Sequence, residues 1–207
     1  MLIEYSELLS RYKINVRGIL HIGAHMCEEL NAYVAGGCPK NKIVWIEAMP
    51  HIVQKVKDAD GDIRIFNYTV LDIDDRNIQF NIANNGQSSS LLPLGTHKQS
   101  YRNIIYVATF QTKTTRVDTI YKRESLPNDF ANFLNIDIQG TELLAIKSMG
   151  DLIDNFEYVY LEVNRDYVYK HCSLVHEIDA YLKQYNFKRV ETKWTNANWG
   201  DAFYIKN

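Results

Sequence analysis

The sequence is poor in cysteine. Cys27, Cys38 and Cys172 are the only three among 207 residues, and no two form a C-x-x-C pair. An odd number without C-x-x-C spacing argues against a disulfide framework and a zinc site, and it suits a reducing compartment. Long apolar runs are missing too. None approaches the ~18 residues that a membrane helix needs. The opening MLIEYSELLSRYK mixes acidic with apolar residues, which argues against a secretory or transit leader. The expectation is a cytoplasmic protein without membrane insertion. Nor is there an excess of one charge: Lys and Arg total 23, Asp and Glu total 25, and the net charge is −2. Without a basic field, nothing draws in nucleic acid or anionic lipid. No internal repeat or low-complexity tract appears, and nothing specifies an oligomer.

What is present is an alternation of short β-rich runs with helical patterns, as in α/β folds. The length favours one domain over residues 1–207, with 1–16 as a helical extension. Residues 4–12 read as an amphipathic helix. GILHI (18–22) and KIVWIE (42–47) read as buried strands. Residues 28–35 and 50–57 read as helices, the second opened by Pro50. A third strand is expected within 63–71, and alternating strands at 76–83 and 111–116. The turn-rich segment 84–100 reads as a mobile loop. Then come a strand at 133–138, a turn at Gly140, a helix at 142–149, a strand at 158–163 and a helix at 174–185. Strands at 187–192 and 202–206 are close enough in sequence to be antiparallel if they are neighbours.

The first strand runs into Gly23-Ala24-His25-Met26-Cys27-Glu28, and the second ends at Glu47. Ligands of open α/β sheets bind beyond such strand ends. A glycine there admits close backbone approach. A carboxylate about 20 residues on can accept hydrogen bonds from a ribose diol. A dinucleotide fingerprint would need glycines where His25 and Glu28 stand. Glu28 would repel a diphosphate at the helix start, so a nicotinamide oxidoreductase is disfavoured. No P-loop is present.

The segments Ile19–His25, Val44–Pro50, Ser88–Leu92, Val117–Ile120 and Asn135–Leu143 resemble those of the FkbM family of methyltransferases. The match in order and spacing runs from about residue 17 to the C-terminus, and I-D-x-x-G-x-E-L (136–143) is its most specific piece. The resemblance implies a Rossmann-like class I methyltransferase fold, with a mostly parallel seven-stranded sheet and an antiparallel C-terminal strand. It also implies S-adenosylmethionine as cofactor and O-methylation of a hydroxyl on a sugar, glycan or natural product. Carried over, Gly23 and Ala24 line the methionine end, His21 and His25 are among the cofactor-binding residues, Glu47 holds the ribose and Asp72 reaches the adenine. Asp137, Gly140 and Glu142 frame the reaction centre. Three positions depart from the pattern. His21 stands where an acidic residue is frequent, Cys27 where glycine is usual, and Asn135 where lysine is common.

A hydroxyl acceptor needs a base within hydrogen-bond reach. Asp137 is the first candidate; the alternative is a carboxylate that only fixes its turn. Glu142 opens a helix, where an acid is favoured by the dipole alone. Glu162 ends the fifth strand, facing the same opening unless it pairs with Arg165. Ser89 belongs to a loop that either closes over the cofactor or is a solvated turn. Trp194, Trp199 and Asp201 offer aromatic faces and an acid on the acceptor side. His21, His25, His171 and His176 have no metal-ligand spacing, and no metal is expected. A second reading is a methyltransferase-like module that binds without turnover; Cys27 and Asn135 are its basis.

Overall fold

The computed structural model describes residues 1–207. In chain order, α1 (Tyr5–Tyr12) precedes β1 (Ile19–Ile22), α2 (Leu30–Ala35), β2 (Ile43–Glu47) and α3 (Pro50–Ala59). Two short strands follow, β3 (Ile65–Asn67) and β4 (Thr69–Val70), then β5 (Asn77–Ala83), α4 (His97–Ser100) and β6 (Tyr106–Thr115). The second half holds α5 (Val117–Arg123), β7 (Phe133–Ile136), α6 (Glu142–Lys147) and β8 (Tyr158–Asn164). It ends with α7 (Val175–Lys183), β9 (Phe187–Trp194) and β10 (Trp199–Lys206).

Seven strands form one sheet in the order β3-β2-β1-β7-β8-β10-β9. The first five positions are parallel, and β10 runs antiparallel to both neighbours. The chain builds outward from β1 to β3, then returns to place β7 on the other side of β1. Strand order therefore reverses between β1 and β7, and ligands of open sheets bind beyond such a point.

The central strands read ILHI, IVWIE and FLNI and are buried throughout, as expected where helices cover both faces of a parallel sheet. Alternate residues divide between two cores. Leu20, Ile22, Val44, Ile46, Leu134 and Ile136 join side chains of α5, α6 and α7 on one face. Ile19, Ile43, Trp45 and Phe133 meet α1, α2 and α3 on the other. Ile3, Tyr5 and Leu8 are fully part of that second core, so the N-terminal segment packs as an element of the fold. No helix is long and apolar enough to cross a membrane.

Several expectations change. The single strand expected in 63–71 is two strands in different sheets: β3 edges the main sheet and β4 pairs with β6. Tyr68 lies between them, its N–H bonded to the Glu47 carbonyl at 3.1 Å. The strand expected at 111–116 is only the end of the ten-residue β6, which forms a second sheet with β4 and β5. Residues 106–110 look loop-like in sequence because their faces are largely exposed. Helix α5 was not anticipated; Val117, Ile120 and Tyr121 form its buried stripe.

Candidate functional site

The carboxyl ends of β1, β2 and β7 open into a cavity of about 570 Å³, within the range of small-molecule and cofactor sites. Gly23 has φ +92°, and a Cβ there would lie 1.8 Å from the Asp137 carbonyl oxygen. The ends of β1 and β7 approach too closely for any side chain at this position. The Asp137 N–H bonds the Ile22 carbonyl at 2.9 Å, which locks the approach.

Glu47 terminates β2 against the same turn. One carboxylate oxygen accepts the His25 N–H at 2.8 Å and the other accepts the Met49 N–H at 2.8 Å. Each oxygen retains a lone pair, and the residue lines the cavity. Burial pushes the Glu47 carboxyl up, while those N–H groups pull it back. His25 (φ +41°) pairs through Nδ1 with Glu28 at 2.5 Å, which raises its pKa.

The three departures from the family pattern have structural accounts. Cys27 adopts φ +58°, a conformation that favours glycine. Its side chain is buried in the second core and does not line the cavity. His21 and Asn135 are register partners across β1 and β7. Tyr33 ties them together: Asn135 donates to its hydroxyl at 2.7 Å, and that hydroxyl meets His21 Nδ1 at 3.2 Å. His21 also stacks on Trp45 at 4.6 Å, and burial lowers its pKa to about 4. An imidazole and an amide thus stand, uncharged, where the family pattern has an acid and a lysine. His21 lines the cavity; Asn135 does not.

Beyond β7 the chain turns sharply through Gln139 (φ +56°) and Gly140 (φ +110°). Glu142 holds this turn from behind. Its Oε1 accepts the N–H groups of Ile138 at 3.2 Å and Gly140 at 2.9 Å. The residue is fully buried, lies outside the cavity wall and leaves Oε2 without a partner. Burial raises its pKa.

Asp137, just beyond β7, and Glu162 and Asp201, in β8 and β10, all line the cavity. The Gln139 amide bridges the first two, donating to Asp137 Oδ1 and, at 3.1 Å, to Glu162 Oε2. Its carbonyl accepts the Tyr169 hydroxyl. Asp201 is held by the Tyr160 hydroxyl and the Leu2 N–H. Enclosure by protein and the Asp201 charge push Asp137 up to about 6, although its carboxylate remains open to the cavity. Burial, with Asp137, Glu142 and Asp201 around it, raises Glu162 well above the carboxylate range. Arg165 does not pair with Glu162; its guanidinium stacks on Trp194, 4.5 Å from the ring centre.

Within the segment 84–100, the Ser88–Ser90 stretch is not a solvated turn. Ser88, Ser89 and Ser90 are buried. Ser89 Oγ accepts the Ala83 N–H at 3.0 Å and donates to the Gly86 carbonyl. Ser90 Oγ donates to the Gln139 carbonyl at 2.7 Å and accepts the Leu92 N–H at 2.9 Å. Ser89 lines the cavity, so this stretch forms a wall that is bonded to the β7 turn.

The structure brings together His21, Gly23, Ala24, His25, Glu47, Ser89, Asp137 and Glu162, with Asp201 and Trp199 of the expected acceptor side. It leaves Asp72 outside: that side chain is exposed, its carbonyl binds Arg116, and Thr69 and Val70 face the cavity instead. Trp194 is also outside. Gln139 and Tyr169 escaped the sequence reading. Gln139 occupies a variable position inside the most specific motif, and Tyr169 carries no motif at all. No group of three or more His, Cys, Asp or Glu is arranged to hold a metal ion.

The comparisons with known proteins agree with this geometry. The Methyltransferase FkbM domain model matches residues 21–189. The structure is similar to that of Methyltransferase FkbM from Methylobacillus flagellatus KT, with TM-score 0.56 and 13% identity over 98% of this chain and 48% of that one. This chain thus spans about half of that protein's length. It also resembles magnesium protoporphyrin IX methyltransferase (ChlM) from Synechocystis PCC 6803 with bound SAM, with TM-score 0.51, 8% identity, and 98% and 76% of the two chains covered. Ribosomal protein L11 methylase from Lactobacillus delbrueckii subsp. bulgaricus gives TM-score 0.51 at 8% identity, over 96% and 75% of the chains. These likenesses define a shared fold. No curated protein matches the sequence. With most of its length matched by the family model, and with the sheet order and β1–β7 turn described above, the chain belongs to the FkbM family of methyltransferases.

Proposed function

We propose that the protein transfers a methyl group from S-adenosylmethionine to a hydroxyl of a sugar, glycan or natural product. The observation that carries this reading is the charge of the cavity at the β1–β7 switch point. Glu28, Glu29, Glu47, Asp137, Glu162 and Asp201 line it, and no lysine or arginine does. Such a wall suits a sulfonium and repels a diphosphate. Membership of a methyltransferase family, on a fold shared with a SAM-bound enzyme, supports the same cofactor.

The residues present fit that group. Gly23 and Ala24, with His21 and His25 beside them, would line its methionine end. Glu47, already oriented by two N–H groups, has lone pairs free for a ribose diol. Thr69 and Val70 would take the adenine side that the family resemblance gave to Asp72, and Ser89 belongs to the cavity wall. When bound, S-adenosylmethionine supplies an electrophilic methyl group.

Asp137 is the base. It stands at the mouth of the strand end, open to the cavity, and is poised near 6, close to where a general base is effective at neutral pH. Its carboxylate would take the proton of the acceptor hydroxyl. Gln139 aims it through the bond to Oδ1. Glu162 shares that amide and would orient the acceptor. Glu142 acts through the turn it holds and is a positioning residue. Cys27 and Asn135, the basis of a binding-only module, lie outside the cavity, so nothing in the site favours that alternative.

Calorimetric titration with S-adenosylhomocysteine, with NAD as control, tests the cofactor assignment. Micromolar binding of the first and none of the second are expected. Glu47→Ala should weaken that binding by about 1–3 kcal/mol, the worth of charge-assisted hydrogen bonds. Tight NAD binding, or unchanged affinity in the variant, would remove the assignment.

A further inference from the structure

Net charge, read over the whole chain, conceals a local imbalance. No aspartate or glutamate occurs between Asp75 and Asp118, the stretch that holds β5, α4 and β6. Within it, Lys98 and Arg102 stand at the cavity mouth, each next in sequence to a lining residue, His97 or Tyr101. The chain beyond β8 meets them there. The Thr96 N–H bonds the Tyr167 carbonyl at 3.0 Å, the His97 N–H bonds the Val168 carbonyl at 3.1 Å and the Lys170 N–H bonds the Pro93 carbonyl at 2.8 Å. This second segment adds Arg165 and Lys170 against one acid, Asp166.

All four basic side chains are exposed, and none forms a salt bridge. Where β6 ends, in contrast, Arg116 pairs with Asp118, and Arg123 faces Asp75. Glu28, of the His25 turn, is paired with His25. The unpaired positive charge therefore collects on one side of the mouth.

Apolar side chains gather on the same rim. Of the eight large hydrophobic residues exposed in the whole chain, Met26, Tyr101, Ile105, Val107 and Tyr167 belong to segments that border the mouth, so apolar exposure is concentrated there. Ile105 and Val107 are 54% and 58% exposed. The Ile105 carbonyl accepts the Asn84 N–H at 3.0 Å, which ties this segment to the turn before Ser88. Lys98, Arg102, Ile105, Val107 and Tyr167 do not line the cavity, so nothing in the chemistry within it uses them.

Basic side chains that alternate with aliphatic and tyrosyl ones fit one kind of surface. Ammonium and guanidinium groups are drawn to anionic headgroups, and the apolar side chains between them enter the boundary with the acyl chains. A nucleic acid would engage the charges but leave Ile105 and Val107 in water. A second copy of this face would bring like charges together.

We propose that the rim carrying Lys98, Arg102, Lys170, Ile105 and Val107 docks on an anionic lipid bilayer. The attachment is peripheral, since no helix is long and apolar enough to cross a membrane. The cavity mouth then opens toward the bilayer. On the methyltransferase reading above, an acceptor anchored in lipid would reach the methyl donor without leaving the membrane. The docking itself needs neither cofactor nor acceptor and stands apart from that reading.

Flotation of the full chain with vesicles tests it, using phosphatidylcholine alone and phosphatidylcholine mixed with phosphatidylglycerol. Partition into the mixed vesicles should exceed that into the neutral ones by about tenfold or more. It should collapse at about 1 M salt, where the screening length is ~3 Å. Lys98→Glu combined with Arg102→Glu should abolish the preference for anionic vesicles. Ile105→Ser combined with Val107→Ser keeps the charge and should weaken partition by about tenfold. Both variants should keep the parental Tm, because these side chains are exposed. Equal partition into both kinds of vesicle, or into neither, would overturn the proposal. So would a duplex oligonucleotide that binds the parent, but not the charge-reversed variant, while the vesicles float free. Titration of the same samples with S-adenosylhomocysteine reports on the cofactor reading separately.

Discussion

The two ends of the cavity are built from different materials. At the β1–β2 end the backbone does most of the shaping: Gly23 leaves room, and Glu47 is gripped by the N–H groups of His25 and Met49. At the β7–β8–β10 end side chains do it, with Gln139 strung between Asp137, Glu162 and Tyr169. Under the proposed function, the backbone-built end would hold the cofactor and be indifferent to which acceptor is used. The side-chain-built end would change its acceptor by changing a few residues while the other half stays as it is. Binding and chemistry should therefore separate on mutation.

The largest effect expected is on chemistry alone. Asp137→Asn should lower turnover by about 10²–10⁴-fold and leave S-adenosylhomocysteine affinity within about threefold. The pH–rate profile of the parent should show an acid limb near 6, because the base must be unprotonated. That limb should vanish in the variant. Parallel losses in binding and turnover would erase the division between the two ends.

Gly23→Ala attacks the backbone-built end. A methyl group 1.8 Å from the Asp137 carbonyl cannot be accommodated without separating β1 from β7. The expected cost is about 3 kcal/mol or more of stability, visible as a lowered Tm, together with loss of cofactor binding. A variant with parental Tm would show that the strand ends are looser than described.

Ser90→Ala probes the wall that joins both ends. It removes the bonds to the Gln139 carbonyl and the Leu92 N–H from a fully buried site. A loss of about 1–3 kcal/mol is expected in denaturant unfolding. A neutral result would return this segment to the status of a surface loop.

The smallest effect is the pH dependence of stability. Asp137 has its pKa raised from 3.8 to about 6 in the fold, and Glu162 is raised as well. Between these values the unfolded chain has released the proton that the native state still holds. Stability therefore falls as pH rises from about 4 through 6, and Glu142, raised to about 7, and Glu162 extend the fall above that. Asp137→Asn should flatten that slope in thermal melts across the window. A slope of the opposite sign would mean that these carboxylates are stabilised by partners rather than crowded.

Sequence legibility follows the same division. Gly23 and Glu47 were readable because strand-end glycines and acids at fixed separation have a known physical use. The parallel core was readable from its continuous apolar runs, and the antiparallel last strand from its short connection. The second sheet was not. Its strand β6 is mostly exposed over Tyr106–Lys113, so the hydrophobic alternation that marks a strand is weak. Asp72 was misplaced relative to the cavity because the chain leaves the main sheet after β3 and changes direction at Tyr68. Gln139 and Tyr169 are 30 residues apart, and only the folded chain shows that they share a hydrogen bond.

The most direct test of the account is a crystal structure of the complex with S-adenosylhomocysteine. The account predicts the ribose hydroxyls on Glu47, the adenine against Thr69 and Val70, and the sulfur facing Asp137. A ligand bound elsewhere, or reversed so that the adenine meets Asp137, would contradict it.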